Sequence, residues 1–130
     1  MLFLILSVGS NPGVVKERLS ALTAAGYCVV PAYSKEEAIE KLFEGDFDLV
    51  LICPSLGRDA GRLANIVRRH RPSIPIVSIS AEEGPIADFG THIAGGSLDA
   101  IVAAVHEILA KEHSKFTSKV NASKVFAAKA

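Results

Sequence analysis

The chain has 130 residues, of which 49% are hydrophobic and 22% are charged, and its 14 basic and 14 acidic side chains leave no net charge. This length fits one domain, and the composition is typical of a globular protein rather than a disordered or fibrous one. The balanced charge disfavours a general attraction to nucleic acid or to anionic lipid. Two cysteines are too few for a disulfide framework, so we expect free thiols in a reducing compartment.

The apolar run at the start of the chain, residues 2–8, is predicted to be a buried strand. It has no basic residue in front of it, ends at a Gly-Ser-Asn-Pro turn and is too short to span a bilayer. No later apolar run is long enough to span one either. We therefore expect a cytoplasmic protein with no membrane association.

The first helix is predicted to begin at Pro12, with Asn11 as its cap, and to end before Gly26. Its inward face is predicted from apolar residues at helical spacing, which are Val15, Leu19 and Leu22.

Strands and helices alternate along the rest of the chain. Four further apolar segments are predicted strands, at residues 27–32, 47–53, 75–80 and 91–94. Apolar spacing predicts three further helices. The first follows the second strand and is opened by the capping box of Ser34 and Glu37. The last follows the fifth strand and carries an apolar stripe of Leu98, Ile101, Val102, Val105, Ile108 and Leu109.

This order predicts an α/β fold, a flavodoxin-like three-layer sandwich around a five-stranded parallel sheet of order 2-1-3-4-5. In such a sheet the loops after the first and third strands are neighbours, and ligands bind at the carboxyl ends of the strands. We therefore expect Gly9, Ser10 and Cys53 to converge, with Ser80 and Gly95 close by.

Four segments, residues 5–12, 47–53, 75–81 and 93–97, resemble the corresponding segments of response-regulator receiver domains, the CheY-like family. The resemblance covers about residues 2–110 and implies a module of two-component or phosphorelay signal transduction. In that family an acidic pair holds Mg²⁺, an aspartate accepts the phosphoryl group, and a hydroxyl residue and a lysine complete the pocket. The matching positions here are Gly9, Ser10, Cys53, Ser80 and Gly95.

The resemblance therefore implies a degenerate form, or pseudo-receiver, that lacks the phosphoacceptor aspartate. Mg²⁺ prefers charged oxygen ligands, and phosphoryl transfer depends on metal and cationic stabilisation of developing charge. His92 lies at the position of the family's aromatic switch residue. The interval from Ser80 to His92 is shorter than in receivers by about two helical turns, so the fourth helix is expected to be shortened or missing. We place the receiver-like domain at residues 1–112 and a C-terminal tail, disordered or a helix extension, at 113–130.

We expect no enzyme activity, cofactor or metal site, since the sequence shows no catalytic set and no cluster of metal ligands. The predicted function is phosphorylation-independent protein–protein interaction, with an unknown signalling protein or as a homodimer. The predicted interaction face lies on the last helix and comprises Ala100, Ala103, Ala104 and Glu107. The arginines in and after the third helix are predicted to be a solvated face rather than a nucleic-acid site.

Two alternative functions remain open. A small-ligand or anion-binding α/β domain would use the turn at residues 9–13 and the pocket at Cys53. A thiol-based sensor would use Cys53, but the sequence predicts no basic residue beside that thiol, which favours a structural role with an unperturbed pKa.

Overall fold

The computed structural model describes residues 3–79, 92–94 and 97–111, with the backbone alone at 92–94. The elements in chain order are β1 Leu4–Val8, α1 Pro12–Ala24, β2 Cys28–Ala32, α2 Lys35–Glu44, β3 Leu49–Ile52, a short 3₁₀ turn Pro54–Leu56, α3 Arg58–His70, β4 Ile76–Ile79, β5 His92–Ala94 and α4 at residues 98–111. The alternation of strands and helices confirms the predicted α/β class.

All pairings in the sheet are parallel, and the predicted order 2-1-3-4 is confirmed. The short β5 pairs with β4, where Val77 is opposite His92. Pro31 lies in β2, at the edge of the sheet, where a missing backbone N–H costs least. The central strands β1 and β3 are buried on both faces, which explains their continuous apolar sequence.

Each face of the sheet packs against its own pair of helices. Ile5 and Leu49 point to one face and pack with residues of α1 and α4, such as Leu22 and Ile101. The residues that alternate with this first set along the strands point to the other face and pack with α2 and α3. They are Leu6, Val8, Val50, Ile52 and Ile76. Each such aliphatic side chain contributes about 1.5–3 kcal/mol when it leaves water, so this two-sided core holds the carboxyl ends of β1 and β3 in place.

Helix α1 begins as predicted: Pro12 is its first residue, and Asn11 accepts hydrogen bonds from the backbone N–H groups of Gly13 and Val14. Its inward face differs from the prediction. The residue buried between Val15 and Leu22 is Arg18, while the expected Leu19 is only half-buried. The prediction failed because apolar periodicity does not count an arginine, whose long aliphatic stem packs well against a sheet.

Helix α4 packs on the sheet through Ile101, Val105 and Leu109, as predicted. Leu98 was predicted to point inward but is 38% exposed, at the first residue of the helix. The hydroxyl of Tyr27 and Nδ1 of His106 are 2.9 Å apart, which ties α4 to the start of β2.

Several predictions fall outside the described residues. They concern the shortened helix expected between Ser80 and His92, the pocket positions Ser80 and Gly95, the side chain of His92 at the predicted switch position, and the tail at 113–130. Within the described part of the chain, no helix is long and apolar enough to cross a membrane.

Candidate functional site

The site lies where β1 and β3 end side by side at the carboxyl edge of the sheet. Val8 is paired with Ile52, and the N–H of Cys53 donates to the carbonyl of Val8 at 2.9 Å. The next residue, Gly9, donates its N–H to Ala32 of β2 at 3.0 Å. Parallel pairing therefore brings together Gly9 and Cys53, as the sequence predicts.

Gly9 lies where α1 and β3 come close together. A Cβ added to Gly9 would lie 2.8 Å from Cγ2 of Val15 and 3.0 Å from Cβ of Cys53. Side-chain carbons essentially never approach that closely without something shifting. The close approach of α1 and β3 therefore favours glycine at this position.

Ser10 is held by a residue that the sequence analysis did not single out, Ser55. The N–H of Ser10 donates to Oγ of Ser55, and Oγ of Ser10 donates to the carbonyl of Ser55, both at 3.0 Å. Ser55 lies in the 3₁₀ turn that follows Cys53. The turn ends at Gly57, whose φ of 60° favours glycine. These two bonds clamp the loop after β1 to the loop after β3.

The hydroxyl of Ser55 also donates to Sγ of Cys53, at 3.2 Å. The same oxygen accepts the Ser10 N–H at 3.0 Å, so Ser55 joins Ser10 and Cys53 through one hydroxyl. No sequence motif signals Ser55, since serine two residues after a strand is common in turns.

Arg18 corrects the expectation that no basic group lies beside Cys53. The residue is 8% exposed, and its guanidinium lies near enough to Cys53 to lower the pKa of that thiol. No carboxylate among the described residues forms an ion pair with it. The prediction failed because it considered only the family's lysine position at Gly95 and not the buried face of α1.

These groups determine the acidity of the Cys53 thiol, which is 5% exposed. Burial alone raises the pKa of Cys53, but hydrogen bonds from Ser55 and Arg18 and the positive charge of Arg18 outweigh it, so the pKa is lowered overall. The predicted unperturbed pKa is therefore wrong, and the surroundings make Cys53 more acidic than an ordinary thiol.

The turn at residues 9–13 does not offer a free set of N–H groups for an anion. The N–H groups of Gly9, Ser10, Gly13 and Val14 all donate within the protein. An anion at this helix start would have to displace the Asn11 cap. The geometry therefore gives no support to anion binding by this loop.

Two acidic side chains near the sheet, Asp48 and Asp59, form their bonds away from this site. Asp48 lies at the amino end of β3 and accepts the N–H of Leu4 at 2.8 Å, so it faces away from the site. Asp59, in the first turn of α3, pairs with Lys35 at 3.8 Å and Arg62 at 3.5 Å. In the described ranges, no group of three or more histidine, cysteine or acidic residues could hold a metal.

The two cysteines are far apart. Cys28 begins β2 opposite Leu4, whereas Cys53 follows Ile52, which is opposite Val8 at the other end of β1. Four residues of strand separate these levels by about 13 Å. Both thiols are free, with Cys28 exposed and Cys53 buried.

The predicted interaction face on α4 is only partly at the surface. Ala103 and Glu107 are exposed, whereas Ala100 and Ala104 are half-buried and Ala104 packs against the core. Beside them, α1 and α4 form an open groove of about 530 Å³, lined largely by alanine: Ala21, Ala24, Ala25, Leu98, Asp99, Val102, Ala103 and His106.

The fold has close counterparts among solved structures. A CheY-like response-regulator receiver domain protein from Methanospirillum hungatei superposes with a TM-score of 0.78 at 16% identity, covering 88% of this chain and 99% of that chain. A protein from Chloroflexus aurantiacus described as a response regulator gives 0.75 at 25% identity, covering 85% and 99%. A chemotaxis response regulator from Vibrio cholerae gives 0.74 at 17% identity, covering 83% and 99%.

No protein-family model matches the sequence, and no curated protein is significantly similar to it. The chain therefore has the CheY-like receiver fold, shown by structural similarity at low sequence identity.

Proposed function

We propose that the protein is a receiver-like signalling module that acts through protein–protein interaction and is not controlled by phosphorylation. The observation that carries this proposal is the pocket at the ends of β1 and β3. There, close packing favours glycine at position 9, and a cysteine occupies the place where the resemblance puts the phosphoacceptor aspartate.

The chemistry of phosphoryl transfer explains why this pocket matters. A receiver holds Mg²⁺ on carboxylates, and that charge stabilises the phosphoryl group as it moves to the acceptor. Gly9 and Ser10 supply no carboxylate, and the hydroxyl and N–H of Ser10 are both bonded to Ser55. A module with this pocket cannot be switched by phosphoryl transfer. A constitutive protein–protein interaction does not require a phosphoryl acceptor.

The groove between α1 and α4 is the surface that we assign to the interaction. Its alanines allow another backbone to approach closely, and the 38% exposed Leu98 lies at its rim. Exposed apolar surface bordered by charged residues such as Asp99 is typical of a protein-binding surface. Two copies of the chain would bring two such alanine faces together, so we propose self-association as the first form of this interaction.

Sedimentation at tens of micromolar tests the proposal. We expect a dimer for the wild type, unchanged by acetyl phosphate and Mg²⁺, and a dissociation constant at least tenfold weaker, or about 1.4 kcal/mol, for Ala103→Glu. The substitution is at Ala103 because that side chain is exposed, whereas Ala104 packs on the core, so a charge there would disturb folding.

Asn65→Glu is the matched control, since it adds the same side chain to an exposed position of α3, on the other face of the sheet. It should sediment as the wild type does. A wild-type monomer would reject self-association, and an assembly that changes on addition of the phosphodonor would contradict the independence from phosphorylation.

A further inference from the structure

The arginines of the chain are concentrated in and beside one helix. Five of the six arginines lie at residues 58–71, and no lysine lies between Lys41 and Lys111. Within α3 itself, four arginines stand against a single aspartate, Asp59. The chain as a whole has no net charge, so α3 carries a local excess of positive charge that acidic residues elsewhere offset.

Helical spacing places three of these arginines on one stripe. Arg62 and Arg69 follow Arg58 by four and eleven residues, so at about 100° per residue the three lie within an arc of about 40°. All three are exposed. The opposite side of α3 packs into the core through Ala60, Leu63, Ala64 and Val67. The basic stripe, which we define as Arg58, Arg62 and Arg69, therefore faces solvent directly away from the sheet.

The basic stripe is only partly neutralised by the described part of the chain. Arg62 pairs with Asp59 at 3.5 Å, but Asp59 also pairs with Lys35 at 3.8 Å. Arg58 and Arg69 form no ion pair within the described ranges. Like charges four residues apart on a helix repel each other, and a face that serves only solubility usually mixes both signs. An anionic partner would relieve this repulsion.

An exposed aromatic ring borders the basic stripe at its C-terminal end. Phe43, near the end of α2, is 58% exposed. The centroid of its ring lies 5.1 Å from that of His70, the residue after Arg69, in an edge-to-face arrangement. Arginines and aromatic side chains often dominate the binding energy of protein interfaces. The pairing of an apolar ring with the stripe favours a protein partner, because a bare polyanion gains nothing from Phe43.

The acidic residues of α2 also argue against an extended polyanion. Glu36, Glu40 and Glu44 are exposed and recur every four residues on the helix beside α3, to which α2 is tied by the Lys35–Asp59 pair. A phosphate backbone that crosses both helices would meet these carboxylates and be repelled. A single helix lying along α3 avoids them, and the basic stripe is about 16 Å long, or three helical turns.

We propose that the basic stripe, with Phe43 at its end, binds an acidic helix of a partner protein. The partner helix presents carboxylates along one side and an apolar side chain at one end. Arginine suits this role, since its planar guanidinium can bind a carboxylate through two parallel hydrogen bonds. The surface lies on the opposite face of the sheet from the groove between α1 and α4, so the inference goes beyond the proposed self-association and does not depend on it.

Fluorescence anisotropy of a labelled synthetic peptide tests the proposal on the full-length chain, at about 0.15 M salt. The probe is a helical peptide with glutamates along one side and a leucine at one end. The double variant Arg62→Gln, Arg69→Gln should bind it about tenfold more weakly than the wild type. The control Lys16→Gln, Lys111→Gln removes the same charge from exposed positions on the other face of the sheet, and its affinity should stay within about twofold.

Phe43→Ala tests the apolar end of the surface. The side chain is exposed, so its loss should leave the fold intact. We expect this variant to bind the leucine-bearing peptide about threefold more weakly than the wild type does. A second peptide, with glutamine in place of the leucine, should bind the variant and the wild type equally. Equal binding of the leucine-bearing peptide to both would remove Phe43 from the proposed surface.

Four results would overturn the proposal. Equal losses in the two double variants would reduce the effect to net charge, and no binding of the peptide at millimolar concentration would leave the stripe without its partner. Tighter binding of a short DNA duplex at the same salt would assign the stripe to nucleic acid. A smaller assembly of the Arg62→Gln, Arg69→Gln variant in sedimentation would assign it to a second copy of this chain. Loss of the dimer in Ala103→Glu tests the proposed function alone, so the two fail separately.

Discussion

Arg18 is the residue whose place in the structure departs furthest from what its sequence context predicts. It is three residues after Val15 and four before Leu22, so helical geometry puts it on the buried arc of α1. The apolar pattern indicated Leu19 because it takes only apolar side chains into account. A charged residue at the spacing of a buried stripe was the available signal, and it would have placed a cation beside Cys53.

The lowered pKa of Cys53 makes the stability of the protein depend on pH in a defined direction. The pKa of Cys53 is lower in the folded protein than in the unfolded chain, so between the two values the unfolded chain binds more protons. The contribution is fully present above the unfolded pKa and is lost as pH falls through the folded one. The free energy of unfolding of the wild type relative to Cys53→Ser should therefore rise with pH.

Urea unfolding at a series of pH values from about 6 to 8.5 measures this difference, since the linear extrapolation gives a free energy at each pH. Cys28→Ser is the control, and its pH profile should parallel that of the wild type because Cys28 is exposed. A difference between wild type and Cys53→Ser that stays constant or shrinks with rising pH would contradict a lowered pKa of Cys53 in the folded state.

At the scale of elements, strands and helices were predictable because each has a strong local signal. The Asn11-Pro12 start of α1 and the Ser34 cap of α2 are confirmed by their hydrogen bonds. Strand ends were less accurate: residues 47–53 were predicted as a strand, and β3 covers only Leu49–Ile52. Cys53 still donates its N–H to Val8, and the chain then leaves the sheet because Pro54 follows and the 3₁₀ turn begins there.

The approach of α1 to the end of β3 depends on Gly9, and this gives a prediction about packing between elements. Gly9→Ala forces a Cβ to within 2.8 Å of Val15 and 3.0 Å of Cys53, so we expect a loss of about 1–3 kcal/mol from overpacking. Thermal or urea unfolding measures it. Gly9→Asp should be at least as unstable, because its larger side chain meets the same two contacts.

Gly61 in α3 is the matched control for a glycine replaced by alanine. A Cβ there would meet nothing within 4 Å, and alanine is the better helix former, so Gly61→Ala should stabilise the protein by about 0.5–1 kcal/mol. A Gly9→Ala protein as stable as the wild type would mean that α1 can shift away from Cys53, and the argument that close packing favours glycine at this position would be lost.

For the whole molecule, the receiver fold followed from the sequence, whereas the chemistry of its pocket did not. The apolar runs and the order of elements predicted the parallel sheet and brought Gly9 and Cys53 together, as the structure confirms. The contacts of Ser55 and Arg18 with Cys53 depend on the path of a turn and on the rotation of a helix. The turn has no local signal, whereas the helical spacing of Arg18 was a signal that the apolar pattern did not count.

The central claim is that a receiver fold here works without a phosphoryl acceptor, and the intact mass of the protein after treatment with acetyl phosphate tests it most directly. The wild type is incubated with and without Mg²⁺, beside a receiver domain that has the acidic pair, the acceptor aspartate and the lysine. We predict that the control gains the mass of one phosphoryl group only with Mg²⁺ and that this protein gains none. A stoichiometric, Mg²⁺-dependent phosphoryl adduct on this chain would contradict the account.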